Sequence, residues 1–337
     1  MLRRLLAAAF LIVLAAALLV IAWPQLFGLE HVFVIAQGVS LRGAAVAASV
    51  VLVVIVGLVM VLAPAARRFA ASIAVLLVVF ALVNLAVLST RGLGNLAFET
   101  AGDSTVTVLS WNTLGDAPGA SAIARLAIDS DAEIVTLPET TRETADLVAG
   151  IMDAAGKPMQ VWTIAYDQIS KARSTSLLVS TDLGTYELDA SKGNSAVLPT
   201  VVVTPVDGSG PTIASVHLVA PIPGEMDNWR SDLDWIASAC SDKNMIIAGD
   251  FNATLDHFES LGNGGDAVLG DCIDAAEASG NAAVGSWPTS LPALLASPID
   301  HVMNTSNWRV SGMRVIESVD KSGSDHRPVL AELAPAN

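Results

Sequence analysis

Three long stretches without a charged side chain constrain this chain more than any other feature of its sequence. Residues 5–23, 43–63 and 69–89 each hold about 20 consecutive uncharged, mostly aliphatic residues. A helix of that length rises roughly 30 Å, which is the thickness of the hydrocarbon core of a bilayer. The chain as a whole is 53% hydrophobic and 15% charged, which is unusually apolar for a water-soluble domain. We therefore predict three transmembrane helices, which together make residues 1–90 a membrane anchor.

The first apolar stretch follows Met1-Leu-Arg-Arg and has an alternative reading as the core of a cleaved signal peptide. Such a core typically spans 7–15 residues, which is shorter than this stretch, and two further apolar stretches follow it. The pattern therefore favours a permanent anchor.

The positive charges that flank the stretches predict the orientation of the anchor. Arg3, Arg4, Arg67 and Arg68 lie on one side of the predicted membrane, whereas Arg42 and Arg91 lie on the other. Lys and Arg are enriched in cytoplasmic loops, so the four-residue side is expected in the cytoplasm. Everything after residue 90 is then expected outside the cytoplasm, carried by a multi-pass protein of the cell membrane.

The remainder of the chain divides into a linker and one large domain. Residues 91–104 mix glycine with polar residues and are interpreted as a linker, and residues 105–337 are long enough for one α/β domain. Residues 91–337 hold 13 of the 18 Lys and Arg residues and 32 of the 33 Asp and Glu residues, a formal charge of −19. Such a surface repels a polyphosphate backbone unless a metal ion or a local basic patch intervenes. Nucleic acid is therefore disfavoured as a partner.

The chain has two cysteines, Cys240 and Cys272, and neither has CxxC or Cys/His zinc spacing. Outside the cytoplasm an isolated pair can form a disulfide. Two buried thiols are an equally good interpretation of the sequence.

Polar side chains recur in the predicted domain at the ends of strands. The stretch IIAGDFN (246–252) ends an aliphatic run in Asp250 and Asn252, which share one face because strand residues i and i+2 point the same way. Helical segments separate some of the predicted strands and others follow one another directly, which favours a mixed-sheet α/β sandwich. The polar residues at strand ends are Asn112, Glu139, His217, Asp250, Asn252, Asp300, Asp325 and His326.

These residue types are the ones that hydrolysis of a phosphate ester requires. Carboxylates such as Glu139 suit a hard divalent cation, Mg²⁺ or Mn²⁺, which neutralises charge on the phosphoryl oxygens. A carboxylate such as Asp250 can orient water or accept its proton, and amides can hold the non-bridging oxygens. An imidazole paired to a carboxylate can stabilise the transition state. The set therefore predicts a metal-dependent phosphoesterase site with Mg²⁺ or Mn²⁺ as cofactor.

Six motifs resemble those of the endonuclease/exonuclease/phosphatase superfamily in order and spacing: LSWNTLG (109–115), LPET (137–140), SVHL (215–218), IIAGDFNAT (246–254), PIDHVM (298–303) and GSDHRPV (323–329). The resemblance implies an α/β fold in which a two-sheet mixed β-sandwich is flanked by helices, here preceded by the three transmembrane helices. It implies catalytic roles for His217, Asp250, Asn252, Asp300 and His326. It places Asn112, Glu139 and Asp325 at the metal and gives Asn112, Asn252 and His217 contacts to the substrate. Which late aspartate binds metal and which orients a histidine stays open.

Two positions depart from the family pattern. Pro138 stands where the family usually has Gln before the metal-binding Glu, and Ser297-Pro298 stands where an Arg is frequent. Of the remaining histidines, His301 is expected on the opposite strand face from Asp300, outside the catalytic set. His257 is expected at the surface or behind the site.

The function predicted from the sequence is that of a membrane-anchored, divalent-metal-dependent phosphoric ester hydrolase outside the cytoplasm. Its expected partners are the lipid bilayer and a phosphate-ester substrate, a phospholipid or an envelope glycolipid, and no protein partner is predicted. Two alternatives remain: a surface nuclease that cleaves DNA or RNA, and an inactive, membrane-tethered binding protein.

Overall fold

The computed structural model describes residues 1–99, 102, 104–167, 169–192 and 195–336. Its N-terminal part contains three helices that are long and apolar enough to cross a membrane. These are α1 (Leu2–Ala22), α3 (Arg42–Leu62) and α4 (Arg67–Arg91), and a short helix, α2 (Ile35–Ser40), lies between the first two. The predicted spans agree with these helices to within a few residues at each end.

The C-terminal part is a sandwich of two mixed six-stranded sheets. The strands are β1 (Val106–Ser110), β2 (Ile134–Pro138), β3 (Met159–Ala165), β4 (Ser174–Ser180), β5 (Tyr186–Leu188), β6 (Val201–Pro205), β7 (Thr212–His217), β8 (Met245–Asp250), β9 (Ile273–Asp274), β10 (Asp300–Asn304), β11 (Trp308–Val315) and β12 (Val329–Pro335). The first sheet has the order β11-β12-β1-β2-β4-β3 and the second β5-β6-β7-β8-β10-β9. The pairs β1–β2 and β7–β8 are parallel, and the other pairs are antiparallel.

Five helices pack around the sandwich, namely α5 (Ala120–Asp129), α6 (Arg142–Ala154), α7 (Met226–Ala239), α8 (Leu255–Phe258) and α9 (Ala275–Ala278). Alternation along β1 shows how the strands serve two cores. Val106 and Val108 belong to the core that contains residues of both sheets, whereas Leu109 packs with Ile123 of α5 and Val148 of α6. Burial on both faces explains why these strands read as nearly continuous aliphatic runs.

The predicted α/β sandwich is confirmed, and the differences concern short elements. Strands β5 and β9 have three and two residues, too few to produce a periodic pattern. Cys240 and Cys272 form a disulfide, which decides between the two interpretations of the cysteines. The described part of the predicted linker is not a free tether, because Asn95 N donates to Asn281 Oδ1 and Glu99 N to Ser311 O. Residues 100, 101 and 103 of that linker lie outside the described residues.

One buried cluster of charges joins the sandwich to the long helices. The Asp256 carboxylate accepts hydrogen bonds from Arg42 at the start of α3 (2.7 and 2.9 Å) and from Arg91 at the end of α4 (2.7 and 2.8 Å). Arg42 also donates to Asn84 Oδ1 (2.7 Å), the polar residue inside the third apolar helix. The two arginines lower the pKa of Asp256 against the opposing effect of burial, so this carboxylate is ionised.

Two glycines bring the backbones of the two parts into direct contact. A Cβ at Gly43 of α3 would lie 1.9 Å from the Leu294 carbonyl oxygen, and one at Gly92 would lie 2.1 Å from the Gly280 carbonyl oxygen. Both distances are far below van der Waals contact. Each approach therefore requires a residue without a side chain.

Candidate active site

Three neighbouring strands of the second sheet place His217, Asp250 and Asp300 side by side. In the strand register, His217 of β7 is opposite Asp250 of β8, which is opposite Asp300 of β10. Directly paired residues point to the same face of a sheet, so the three side chains share one face at the edge of the sandwich. All three are almost completely buried.

The first sheet contributes Asn112 and Glu139, which follow the ends of the adjacent parallel strands β1 and β2. Asn112 Nδ2 donates to Glu139 Oε1 (3.2 Å) and to Asp250 Oδ2 (3.0 Å), so one amide joins the two sheets. His217 Nε2 lies 3.8 Å from the same Glu139 and Asp250 oxygens. The carboxyl ends of parallel strands thus meet here, as in other open α/β sheets that bind ligands.

The loop before β12 closes the site with Asp325 and His326. His326 Nδ1 donates to Asp300 Oδ2 (2.8 Å), and its Nε2 lies 3.7 Å from Asp250 Oδ2. Ser324 Oγ donates to the Asn112 carbonyl (2.6 Å), which holds this loop against the end of β1. Asp325 is more exposed, and its Oδ2 accepts a hydrogen bond from Trp287 Nε1 (2.9 Å).

Backbone strain marks two of these positions. Glu139 and Asn252 have φ angles of 57° and 47°, which side-chain-bearing residues rarely adopt. Hydrogen bonds hold Asn252 there, since its N–H donates to Asp250 Oδ1 (2.8 Å) and its Nδ2 to the Leu218 carbonyl (2.9 Å). Non-glycine residues in this region cost about 1–3 kcal/mol and persist where surrounding contacts require them, often at functional sites.

Burial and neighbouring charges give the acid–base groups different protonation states. Burial lowers the pKa of His217 to about 3, so this imidazole is neutral. Burial acts in the same direction on His326, but the carboxylates of Asp300 and Asp250 outweigh it and raise its pKa to about 10. Burial also raises the pKa of Asp250 and of Glu139, although His326 and the amides of Asn252 and Asn112 oppose this at Asp250. Neighbouring titratable groups whose pKa values are shifted in different directions are typical of an acid–base catalytic site.

The donor set fits a hard divalent cation. Ligand atoms of Asp250, Asp300 and His326 lie within 4.8 Å of one another. Within the described part of the chain, Asp300 Oδ1 and Asp325 Oδ1 are buried and accept no hydrogen bond, which leaves two oxygens free for a cation. Oxygen-rich sites of this kind favour Mg²⁺ or Mn²⁺.

The structure therefore brings together all eight residues that the sequence singled out, within one opening between the sheets. The two other histidines lie elsewhere. His301 points away from the site into the core, where it donates to Asp274 Oδ2 (2.6 Å) and the Ala253 carbonyl (3.0 Å). His257 is fully buried rather than at the surface, and its Nε2 donates to the Ala36 carbonyl (3.1 Å), so the expectation of a surface position is wrong.

A cavity of about 590 Å³ opens from this site, and its walls contain residues that the sequence did not point to. Gln37, Ser40 and Leu41, from the segment between α1 and α3, line it together with the polar residues. They carry no motif, and their contact with the sandwich joins positions nearly 200 residues apart in sequence. The one available signal was the length of the segment between the first two apolar stretches.

The similarity to known proteins agrees with the geometry of the site. Residues 109–326 match the Endonuclease/Exonuclease/phosphatase family, and this chain belongs to that family. Members of the family are usually phosphoester hydrolases. No curated protein matches the sequence.

Solved structures of the family share the fold. A Bacteroides vulgatus protein has a TM-score of 0.51 at 15% identity, covering 69% of this chain and 100% of its own. A Beutenbergia cavernae protein has a TM-score of 0.51 at 17% identity, covering 69% and 72%. A Bacteroides thetaiotaomicron protein has a TM-score of 0.50 at 18% identity, covering 70% and 100%. Each is described as an endonuclease/exonuclease/phosphatase, and at these identities the likeness concerns the fold alone.

Proposed function

We propose that this protein is a membrane-anchored, divalent-metal-dependent phosphoester hydrolase that acts outside the cytoplasm on a phosphorylated lipid or an envelope glycolipid. One observation carries the proposal. The cavity is lined both by the acid–base residues and by apolar residues, some of them from the segment joined to the long helices. A phosphate ester attached to a hydrocarbon chain would have its phosphate at the acid–base residues and its chain at the apolar residues.

The residues at the polar end can divide the reaction among them. Asp250, between Asn112 and Asn252, is placed to orient the attacking water and accept its proton. The protonated His326, held by Asp300, can donate to the charge that develops on the phosphoryl group. The neutral His217 can hold a phosphoryl oxygen with one ring nitrogen.

We assign the metal ion to Asn112, Glu139 and Asp325. A bound Mg²⁺ or Mn²⁺ would supply charge neutralisation at the phosphoryl oxygens. Asn112 also joins the metal-binding Glu139 to the base Asp250 through its hydrogen bonds to both carboxylates.

The charges around the long helices support a multi-pass protein with its sandwich outside the cytoplasm. Arg3, Arg4, Arg67 and Arg68 are exposed at one end of the helices. The two arginines at the other end, Arg42 and Arg91, are committed to Asp256. The end with the exposed arginines is therefore expected in the cytoplasm, because Lys and Arg are enriched in cytoplasmic loops. The disulfide supports the same orientation, because such bonds persist in oxidising compartments.

The distribution of basic residues supports a lipid rather than a nucleic acid. Among the described residues, no Lys or Arg lines the cavity. Three basic residues elsewhere in the domain are paired with acids: Lys171 with Asp116, Arg173 with Asp167 and Arg230 with Asp227. Duplex binding depends on several unpaired Lys or Arg contacts to phosphates.

The test compares substrates on the full-length protein in detergent micelles at ~150 mM salt. We expect a higher kcat/KM for phospholipid in mixed micelles than for plasmid DNA, with activity abolished by EDTA and restored by Mg²⁺ or Mn²⁺. Asp250→Asn is the matched inactive control, because Asn keeps the size of the side chain and removes the carboxylate. Faster DNA cleavage would favour the nuclease, and absence of turnover with any substrate or metal would favour the binding protein.

A further inference from the structure

Helix α2 is held on the sandwich by specific contacts rather than by its covalent connection alone. Gln37 Nε2 donates to the Pro221 carbonyl, and the Ala36 carbonyl accepts from His257. In the preceding segment, His31 Nε2 donates to the His257 carbonyl (2.7 Å). Ala36 and Val39 are buried by this packing. Hydrogen bonds and buried side chains thus hold the cavity wall that α2 forms against the sandwich.

The apolar part of the cavity continues from the sandwich onto this wall. Ile222 and Ile299 line it from the loops after β7 and before β10, and Leu41 completes it from the anchor. Trp287, another lining residue, is 36% exposed, and Ile222 is 51% exposed, so the apolar surface reaches the rim. Exposed apolar side chains at the mouth of a cavity are typical of ligand-binding grooves and of surfaces that contact a membrane.

The position of this wall connects the cavity to the membrane side of the molecule. Leu41 is followed directly by Arg42, the first residue of α3. Leu294, which is 46% exposed, lies in the turn that meets α3 at Gly43. In a bilayer, the cavity would open where the hydrocarbon begins.

We infer that Ser40 and Leu41 of the anchor, together with Ile222 and Trp287 of the sandwich, bind the hydrocarbon part of the substrate next to its phosphate. This inference rests on the proposed function, since it names how that function selects its substrate. The anchor is then a component of the substrate site in addition to a tether. Ser40 and Leu41 are specificity-determining residues that no catalytic motif of the family contains.

The test measures binding, so that it does not depend on turnover. Ethyl-, butyl- and hexylphosphonate carry a non-hydrolysable C–P bond and remain in water. Their dissociation constants are measured by tryptophan fluorescence on the full-length protein with Mg²⁺ present. Each methylene that enters an apolar site should raise affinity about fourfold. We expect that rise for the unmodified protein.

Two substitutions test the contribution of the anchor. Ser40→Phe should fill the cavity and abolish the dependence on chain length, and Leu41→Ala should weaken it severalfold. Leu26→Ala is the control, because Leu26 is exposed in the same segment and does not line the cavity. Thermal unfolding and ethylphosphonate binding show that each variant is folded.

Equal dependence on chain length in all four proteins, or no dependence in the unmodified protein, would overturn the inference. Dependence on chain length without hydrolysis of any lipid would support the binding site and contradict the proposed reaction. Lipid hydrolysis without dependence on chain length would support the proposed reaction and contradict the binding site.

Discussion

Asp256→Asn should detach or destabilise the sandwich more than any surface substitution, because Asp256 balances two buried guanidinium groups. Its side chain is 2% exposed and accepts four charge-assisted hydrogen bonds, two each from Arg42 and Arg91. Removing one partner of a buried ion pair typically costs about 3–5 kcal/mol, because the remaining charge stays buried. In a domain of this size, 1 kcal/mol shifts Tm by roughly 2–4 °C, so we expect a decrease of roughly 6–20 °C.

Tryptophan fluorescence during thermal unfolding in detergent measures this effect. Trp229 lies between His31 of the anchor and His257 of the sandwich, with ring centroids 5.5 and 5.0 Å away, so its emission reports undocking as well as unfolding. Asp129→Asn is the matched control, since it removes an exposed i,i+4 pair with Arg125 (3.9 Å). Such pairs contribute about 0.2–1 kcal/mol.

The pH dependence gives the same prediction a second check. The pKa of Asp256 is lowered in the folded protein, so its stabilisation is complete above the value of about 4 for an unfolded Asp. It is lost only as the pH falls through the lower folded value. The difference in Tm between the unmodified protein and Asp256→Asn should therefore stay constant from pH 5 to 8. A difference as small as that of Asp129→Asn would refute the assignment of the cluster as the main joint.

Three further predictions concern the site and the orientation of the chain. Glu139→Gln should raise the Mg²⁺ concentration needed for half-maximal activity and lower turnover with little change in Tm; unchanged metal dependence would remove Glu139 from the site. Asp250→Asn and His326→Ala should each lower kcat by about 10²–10⁴, and the double variant should lose much less than the product, because residues that act as a unit are not additive; full multiplicativity would assign them to separate steps. A reporter fused after residue 337 should be active in the form that requires export, and activity of a cytoplasmic reporter instead would reverse the proposed orientation.

The catalytic end of the molecule was readable from the sequence because its residues stand at the ends of predicted strands, within recognisable motifs. Strand β8 ends at Asp250, and pairing of β7, β8 and β10 brings His217 and Asp300 to its face. Strand ends and side-chain alternation suffice for that deduction. Asn252 lies beyond the strand, at a φ angle of 47°, so it reaches the site through a turn and not by the expected i, i+2 alternation. The late aspartates needed coordinates, since the bond from His326 to Asp300 depends on the path of a loop.

The joint between anchor and sandwich was not readable, because it consists of contacts distant in sequence. Arg42 and Arg91 enter the sequence argument as flanking charges of apolar stretches, and their common partner Asp256 carries no motif of its own. Of the two positions expected for His257, the one at the surface is wrong for the same reason. Its burial depends on Ala36, more than 200 residues away, and a polar residue beside a catalytic motif gives no sign of such packing.

The contacts at Gly43 and Gly92 set a condition on natural variation. At both positions the backbone lies against another stretch of backbone, so no change of side-chain rotamer can make room for a larger residue. Even a methyl group at either position would push the long helices and the sandwich apart. In a homologue with the same catalytic residues but a larger residue at either place, the sandwich should be less firmly attached to the long helices. Such a homologue would be the natural experiment that separates the chemistry of the sandwich from the selectivity contributed by the anchor.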